Sequence, residues 1–370
     1  MNEPLADAER WGLVELLSGH DVVICAGSGG VGKTTTSAAL GLAAARAGRR
    51  VVVVTVDPAR RLADALGLGS GGLGDEPVRI ERVGPGELWA AMLDPRATFD
   101  RLIARHASPD QAERIIANPF YQNMADALSG THEYMAAEKL HDLAGDERFD
   151  LVVVDTPPTR SALDFVDAPT TLTRFLDHRL YRVLMAPTRR MTRAVGVATG
   201  AFVRTVSKVV GASVVEDAVE FFSAFEGLEE GFRDRAHEVA DRFRSPTTAF
   251  VLVTAPRADA LTEARWFAER LEAEGIDIRA VVANRVQPRP MSGDPGRFRE
   301  VARSQAGTSL GDLCATVIEL CDGSDSETAL LADLVEAIGG VPLVTVPVLD
   351  RDVADLAGLE QIAAALYGTA

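Results

Sequence analysis

A glycine-rich segment near the start of the chain carries residue types that can hold a phosphate group. Residues 27–34 read GSGGVGKT and fit the pattern GxxxxGK[ST]. In such a loop the glycines let backbone N–H groups converge on phosphate oxygens, and the following helix adds partial positive charge. Lys33 would reach the β- and γ-phosphates, and the Thr34 hydroxyl would bind Mg²⁺. The candidate nucleotide-binding residues are Gly27, Ser28, Gly29, Gly30, Val31, Gly32, Lys33, Thr34 and Thr35.

Two aspartates complete this candidate site. Asp57 directly follows the apolar run VVVVTV, and Asp155 ends the run DLVVVD. A carboxylate that ends a strand beside a phosphate loop can organise the Mg²⁺ shell or orient the attacking water. We therefore expect Lys33 and Asp57 to be catalytic, Thr34, Asp57 and Asp155 to bind the metal, and ATP and Mg²⁺ to be the cofactors.

Buried strands must position these side chains. Residues 21–26 predict a strand, residues 34–47 an Ala-rich helix that Gly48 ends, and residues 51–56 a second strand. This βαβ unit requires a parallel sheet. Further buried strands are predicted at 88–93, 150–155, 249–254, 279–283 and 342–346. The sequence thus predicts an α/β fold of the P-loop NTPase type, with a mostly parallel, doubly wound sheet.

Two long helical stretches interrupt this strand pattern. They cover residues 96–147 and 161–244 and are longer than ordinary crossover connections. We expect them to form a helical subdomain inserted into an ATPase core made of residues 1–95, 148–160 and 245–370. Irregular segments are predicted at 67–74 and 287–296, which are rich in Gly or Pro.

Three motifs resemble one known family. The string GSGGVGKTT resembles the deviant Walker A loop, GKGGVGKTT, of a class of dimeric ATPases. VDPARRLADAL resembles the switch I segment of the arsenical-pump and tail-anchored-protein-targeting branch of that class. DTPPTRSALDF resembles the DTAPTGH switch II of the same branch. The chain therefore resembles the arsenical-pump and tail-anchored-protein-targeting ATPase family.

The resemblance implies further roles and one departure. Asn284, Pro347 and Val348 stand at positions that hold adenine in the family, and an asparagine amide can pair with both a donor and an acceptor on that base. The family's signature lysine reaches across a dimer, but Ser28 occupies its position. We expect a homodimer to bind ATP and hydrolyse it slowly, unless Arg60, Arg61 or Arg160 supplies the cation or a paralogous subunit inserts its own lysine.

A basic, apolar stretch lies within the second helical insertion. Residues 178–215 contain no Asp or Glu but seven cations, namely Arg179, Arg182, Arg189, Arg190, Arg193, Arg204 and Lys208. Such a stretch can bind an apolar client helix or an anionic membrane surface. An ordinary core-facing helix with a solvated basic rim has the same pattern. This stretch follows the segment that resembles switch II. In the tail-anchored-protein-targeting branch, that position forms the client-binding surface, so the resemblance favours a client role.

Composition excludes several classes of protein. The 370 residues include 38 basic and 54 acidic side chains, so the net charge of −16 argues against a nucleic-acid partner. We find neither a signal peptide nor a membrane-spanning run of about 20 apolar residues. The chain has three cysteines and no CxxC pair. Cys314 and Cys321, seven residues apart, could bind a metalloid, but two thiols make a poor site, so buried structural cysteines are favoured. We expect a cytoplasmic protein that can also approach a membrane.

These observations lead to one functional hypothesis with two alternatives. The hypothesis is a dimeric ATPase whose nucleotide state gates the helical subdomain for a hydrophobic client or membrane partner. The first alternative is a weakly active nucleotide-binding subunit of a heterodimer with a paralogue that retains the lysine. The second is an ATPase of an arsenite efflux pump.

Overall fold

The computed structural model describes residues 13–57, 61–68, 72–80, 83–124, 131–177, 212–353 and 355–367. Residues 178–211 of the basic, apolar stretch predicted at 178–215 lie outside this part of the chain, as does Arg60. The chain divides into two compact units. The first comprises Met1–Met92, Asp146–Leu163 and Pro246–Ala370, and the second comprises Leu93–Gly145 and Asp164–Ser245.

Within the described residues, the first unit contains one sheet of eight strands in the order β3-β4-β2-β5-β1-β6-β7-β8. Every neighbouring pair is parallel except β3 and β4. The carboxyl ends of the parallel strands therefore share one edge of the sheet. The strands are β1 Val22–Ala26, β2 Arg50–Thr55, β3 Val78–Ile80, β4 Glu87–Met92, β5 Leu151–Asp155, β6 Thr248–Thr254, β7 Ile278–Val286 and β8 Leu343–Pro347.

The predicted mostly parallel α/β sheet is confirmed, and each predicted strand overlaps an observed one. The middle strands β5, β1 and β6 are buried along their whole length, as their continuous apolar runs indicate. The antiparallel edge strand β3 was not predicted. It has three residues, of which Val78 and Arg79 are exposed. A strand this short does not show the alternation of apolar and polar residues by which a strand is recognised in a sequence.

Among the described residues, helices occur between the strands and in the second unit, and residues 13–19 are also helical. The further helices are α1 Lys33–Arg46, α2 Arg61–Ala65, α3 Pro95–His106, α4 Pro109–Ala117, α5 Pro119–Met124, α6 Thr131–Ala144, α7 Thr159–Asp177, α8 Ala212–Phe225, α9 Glu229–Phe243, α10 Ala258–Ala273, α11 Gly296–Ser304, α12 Ser309–Ala337 and α13 Leu356–Tyr367. The boundary between the two units falls inside α7.

An ionic cluster around a buried carboxylate connects three helices of the second unit. Glu138 on α6 is fully buried, and its Oε1 accepts hydrogen bonds from Arg235 Nε at 2.8 Å and Arg105 Nη1 at 3.2 Å. Arg235 and Arg105 also pair with Asp142 at 2.5 and 2.8 Å. The two arginines thus compensate the buried carboxylate, and they connect α3, α6 and α9.

The three cysteines are buried and form no disulfide. This agrees with the prediction that they are buried structural cysteines. Cys314 and Cys321 both face the interior from α12. Burial raises the pKa of Cys25 in β1 to about 12, so this thiol stays protonated and behaves as a core residue. In the part of the chain that the structure describes, no helix is long and apolar enough to cross a membrane.

Candidate functional site

The loop between β1 and α1 has a backbone that only glycine accommodates at two positions. A Cβ on Gly27 would lie 2.0 Å from the carbonyl oxygen of Val253 in β6. Gly32 has a φ of +94°, and a Cβ there would lie 2.2 Å from the Nδ2 atom of Asn284. The glycine spacing read from the sequence therefore reflects close contact of the loop with two neighbouring strands.

Lys33 is the first residue of α1 and is only 8% exposed. Its Nζ donates to the carbonyl oxygens of Gly27 and Ser28, both at 2.9 Å. Burial lowers the pKa of Lys33, and the nearby carboxylate of Asp155 opposes this shift. The backbone carbonyls of the loop thus hold the ammonium group of Lys33 against the loop, next to the N-terminus of α1. This position is suited to binding phosphate oxygens.

Asp155 ends β5 and is 1% exposed. Its Oδ2 accepts hydrogen bonds from the hydroxyls of Thr34 and Thr55, each at 2.8 Å. Its Oδ1 is buried and has no hydrogen-bond partner among the residues that the structure describes. Burial raises the pKa of Asp155 to about 6, against the opposing effects of the two hydroxyls and Lys33. An unpartnered carboxylate oxygen beside a threonine hydroxyl is the oxygen-donor arrangement that fits Mg²⁺.

Thr55 links the two aspartates that the sequence singled out. It ends β2, where it pairs in register with Asp155, and its hydroxyl accepts the backbone N–H of Asp57 at 3.2 Å. Asp57 is close enough to affect the pKa values of Lys33 and Asp155. The predicted residues Lys33, Thr34, Asp57 and Asp155 are therefore brought together. Sequence reasoning missed Thr55, whose only signal is its position at a strand end.

Asn284, near the end of β7, also reaches the loop. Its Nδ2 donates to the carbonyl oxygen of Val31 at 2.8 Å, and its Oδ1 accepts the N–H of Arg285 at 2.9 Å. Pro347 ends the adjacent strand β8, and the N–H of Val348 donates to the carbonyl oxygen of Val286 at 3.0 Å. The three residues expected to hold adenine thus lie at the ends of neighbouring strands. Their contact with a base stays a prediction.

Ser28 is buried, and its hydroxyl has no hydrogen-bond partner among the described residues. Of the arginines considered as substitutes for a lysine at this position, Arg61 begins α2 and lies near enough to Lys33 to lower its pKa. Arg160 belongs to α7. Arg285, which sequence reasoning did not single out, contacts the loop directly, because its Nη1 donates to the carbonyl oxygen of Gly30 at 3.2 Å.

A strand, a glycine loop and a helix that bring a lysine and a threonine to a strand-end aspartate define a P-loop NTPase with an α/β fold. The model of the anion-transporting ATPase family matches residues 20–307. The chain therefore belongs to the anion-transporting ATPase family, and its activity is that of an ATPase.

Individual relatives agree with this assignment. The chain is 30% identical over 267 residues to the ATPase GET3 of Malassezia globosa, covering 71% of this chain and 72% of the relative. It is 28% identical to the ATPase get3 of Schizosaccharomyces japonicus, covering 71% and 74%. It is also 28% identical to the ATPase ARSA2 of Chlamydomonas reinhardtii, covering 71% and 67%.

Proposed function

We propose that this ATPase binds Mg·ATP at the loop of residues 27–35 and acts as a dimer. Its nucleotide state controls the binding of a hydrophobic client or membrane partner by the helical unit. The observation that carries the proposal is the pair of threonine hydroxyls on one oxygen of Asp155. Its other oxygen has no partner in the described part of the chain and can therefore bind a metal ion. The client role rests on the resemblance to the tail-anchored-protein-targeting branch.

Each residue of the site has a role in ATP hydrolysis. Lys33 and the loop amides hold the β- and γ-phosphates, and the residues that would hold Mg²⁺ are Thr34, Asp155 and Asp57. When bound, Mg²⁺ neutralises negative charge on the phosphates. Asp57 accepts a hydrogen bond from the attacking water and orients it toward the γ-phosphate. Asn284, Pro347 and Val348 contact the base.

The chain itself connects the site to the helical unit. Asp155 is followed after three residues by α7, whose residues from Asp164 onward belong to the second unit. Thr156, directly after Asp155, is tied to β1 because its hydroxyl donates to the carbonyl oxygen of Cys25 at 2.8 Å. A change in this connecting segment on nucleotide hydrolysis would act on the start of α7, which is how switch segments move attached helices.

A second candidate follows from Ser28. Its hydroxyl is uncharged and buried, so this chain would act as the nucleotide-binding subunit of a heterodimer whose other subunit supplies a lysine. The arsenite-efflux alternative has less support, because Cys314 and Cys321 face the interior of the fold. Neither candidate involves nucleic acid, which the net charge of −16 disfavours.

Calorimetry with Mg·ATP tests the site. The parent chain should bind Mg·ATP, while Lys33→Ala and the similarly sized Lys33→Met should not, because the remaining amides cannot offset the phosphate charge. Thermal denaturation of both variants serves as the control for folding. Unchanged ATP affinity in the two variants would contradict the assignment.

The dimer and client steps need a separate measurement. Light scattering should detect a dimer in the presence of a non-hydrolysable ATP analogue, and a labelled apolar helical peptide should bind differently in the analogue and ADP states. Equal peptide binding in both states would contradict nucleotide gating. Activity that appears only after mixing with a paralogous subunit would support the heterodimer, and arsenite-stimulated turnover would support the efflux alternative.

A further inference from the structure

The carboxyl end of β7 contains a backbone irregularity next to the nucleotide loop. Asn284 pairs with Val346 of β8 and Val286 pairs with Pro347, so the register skips Arg285. Among the residues that the structure describes, Arg285 is the only non-glycine residue with a positive φ, at 60°. A β-bulge redirects a side chain, and a strained backbone at a strand end frequently marks a functional residue.

The bulge directs two consecutive side chains to the loop. Asn284 donates to the carbonyl oxygen of Val31 at 2.8 Å, and Arg285 donates to that of Gly30 at 3.2 Å. Asn284 also accepts the backbone N–H of Arg285 at 2.9 Å, which holds the bulge in place. Without the extra residue, the side chain at position 285 would alternate to the opposite face of the sheet from Asn284.

The charge of Arg285 is available for a ligand. Its side chain is exposed, and within the described part of the chain no carboxylate forms an ion pair with it. A guanidinium is a cation with five N–H donors, and one donor of Arg285 contacts Gly30. The remaining donors are suited to phosphate oxygens, which guanidinium groups bind in a forked geometry.

Lys33, the other cation at the loop, already makes hydrogen bonds within the loop. Its ammonium donates to two loop carbonyls. Ser28 contributes a buried hydroxyl without charge. A nucleoside triphosphate carries several negative charges, so a second, permanently charged group at the loop would strengthen its binding.

We propose that Arg285 is a phosphate-binding residue of this ATPase, which the β7 bulge positions at the loop so that its guanidinium contacts the phosphates of Mg·ATP. This inference rests on the proposed function, because it requires the loop of residues 27–35 to bind Mg·ATP.

Four variants separate charge, hydrogen bonding and backbone strain. Arg285→Gln keeps an N–H donor for Gly30 but removes the charge, and Arg285→Lys keeps the charge. Arg285→Gly relieves the positive φ and removes the side chain. Arg279→Gln, an exposed arginine near the opposite end of the same strand, is the matched control.

Calorimetric titration with Mg·ATP at low and high salt, with thermal denaturation alongside, gives the readout. Arg285→Gln and Arg285→Gly should raise the dissociation constant about tenfold, the usual loss for one charge-assisted hydrogen bond, with a weaker salt dependence. Arg285→Lys should recover most of the affinity, and Arg279→Gln should bind as the parent does. Arg285→Gly should unfold at the same or a higher temperature than the parent.

Several outcomes would overturn the inference. In the first, Arg285→Gln binds Mg·ATP with an affinity within twofold of the parent, although Lys33→Ala abolishes binding. In the second, Arg285→Lys binds Mg·ATP no more tightly than Arg285→Gln. Loss of affinity in proportion to loss of thermal stability would also overturn it, because it would indicate a purely structural contact. If the parent and Lys33→Ala are both unable to bind Mg·ATP, the proposed function itself fails, and this outcome is distinguishable from the others.

Discussion

The hydroxyl of Thr34 donates to Oδ2 of Asp155 across 2.8 Å, joining two residues that lie 121 positions apart in the chain. Thr34 belongs to the first turn of α1, and Asp155 ends β5, which lies between β1 and β2 and is in register with both. The carboxylate that would bind the metal is thus oriented before any ligand arrives. Such preorganisation reduces the reorganisation needed when charge accumulates during phosphoryl transfer.

Thr55 should matter to nucleotide binding although it contacts no ligand in our proposal. In Thr55→Val, Asp155 loses one of its two hydroxyl donors, and the hydrogen bond from the N–H of Asp57 to the Thr55 hydroxyl is lost. We expect Mg·ATP affinity to fall about fivefold and the free energy of unfolding to fall by about 1–3 kcal/mol. Calorimetry and denaturant titration measure the two effects.

Thr254→Val provides the matched control for that experiment. Thr254 is equally buried and ends the nearby strand β6. Its hydroxyl makes a 3.5 Å contact with the carbonyl of Ala255 and does not contact Asp155. Thr55→Ser should retain parental affinity because it keeps the hydroxyl. If Thr55→Val and Thr254→Val lose the same amount of affinity, Thr55 does not act through Asp155.

Gly27 and Gly29 should respond differently to the same substitution. The Cβ in Gly27→Ala would meet the carbonyl oxygen of Val253 at 2.0 Å, whereas a Cβ at Gly29 meets nothing within 4 Å. We expect Gly27→Ala to lower the free energy of unfolding by about 1–3 kcal/mol through overpacking and Gly29→Ala to change it by under about 0.5 kcal/mol. Denaturant titration of both variants is the measurement. Equal stability would show that the loop can shift away from β6.

The sequence predicted the sheet and most of the residues that meet at the candidate site, because those features depend on local patterns. Continuous β-branched runs marked the buried strands, and the spacing of Gly27, Lys33 and Thr34 marked the phosphate loop. Thr55 and Arg285 were not identified, because their contacts with Asp155 and Gly30 depend on pairing between strands that are distant in the chain. Thr55 reaches Asp155 only through the β2–β5 register, and Arg285 reaches Gly30 only through the β7 bulge.

The helical unit should lose stability as the pH falls, through His141. Burial lowers the pKa of His141 from 6.5 to about 4, with repulsion from Arg235 and Arg242 outweighing attraction to Glu238 and Asp142. Between these two values the unfolded chain binds a proton that the folded chain does not. Lowering the pH from about 6.5 to about 4 therefore reduces this residue's contribution to the free energy of unfolding.

Replacing His141 should remove its pH-dependent contribution to the free energy of unfolding. Denaturant titrations between pH 4 and pH 8 should show that the stability of the parent, relative to His141→Gln, rises with pH up to about 6.5 and is level above it. His237→Gln, on the exposed side of α9, is the control for the loss of an exposed imidazole. Parallel curves for the parent and His141→Gln would mean that the imidazole titrates alike in both states.

Ser28 provides the sharpest test of how the site reaches full activity. A serine cannot cross a dimer interface to neutralise the partner's γ-phosphate, so the chain alone should turn ATP over slowly, and Ser28→Lys should raise kcat by at least about tenfold. Ser28→Met, which has an unbranched but uncharged side chain, should leave kcat low. Steady-state hydrolysis assays of the three proteins, with dimer content determined in parallel, measure the effect. A parent that already turns over rapidly and is unaffected by Ser28→Lys would exclude the heterodimer and require another cation, for which Arg61 and Arg285 are the candidates near the loop.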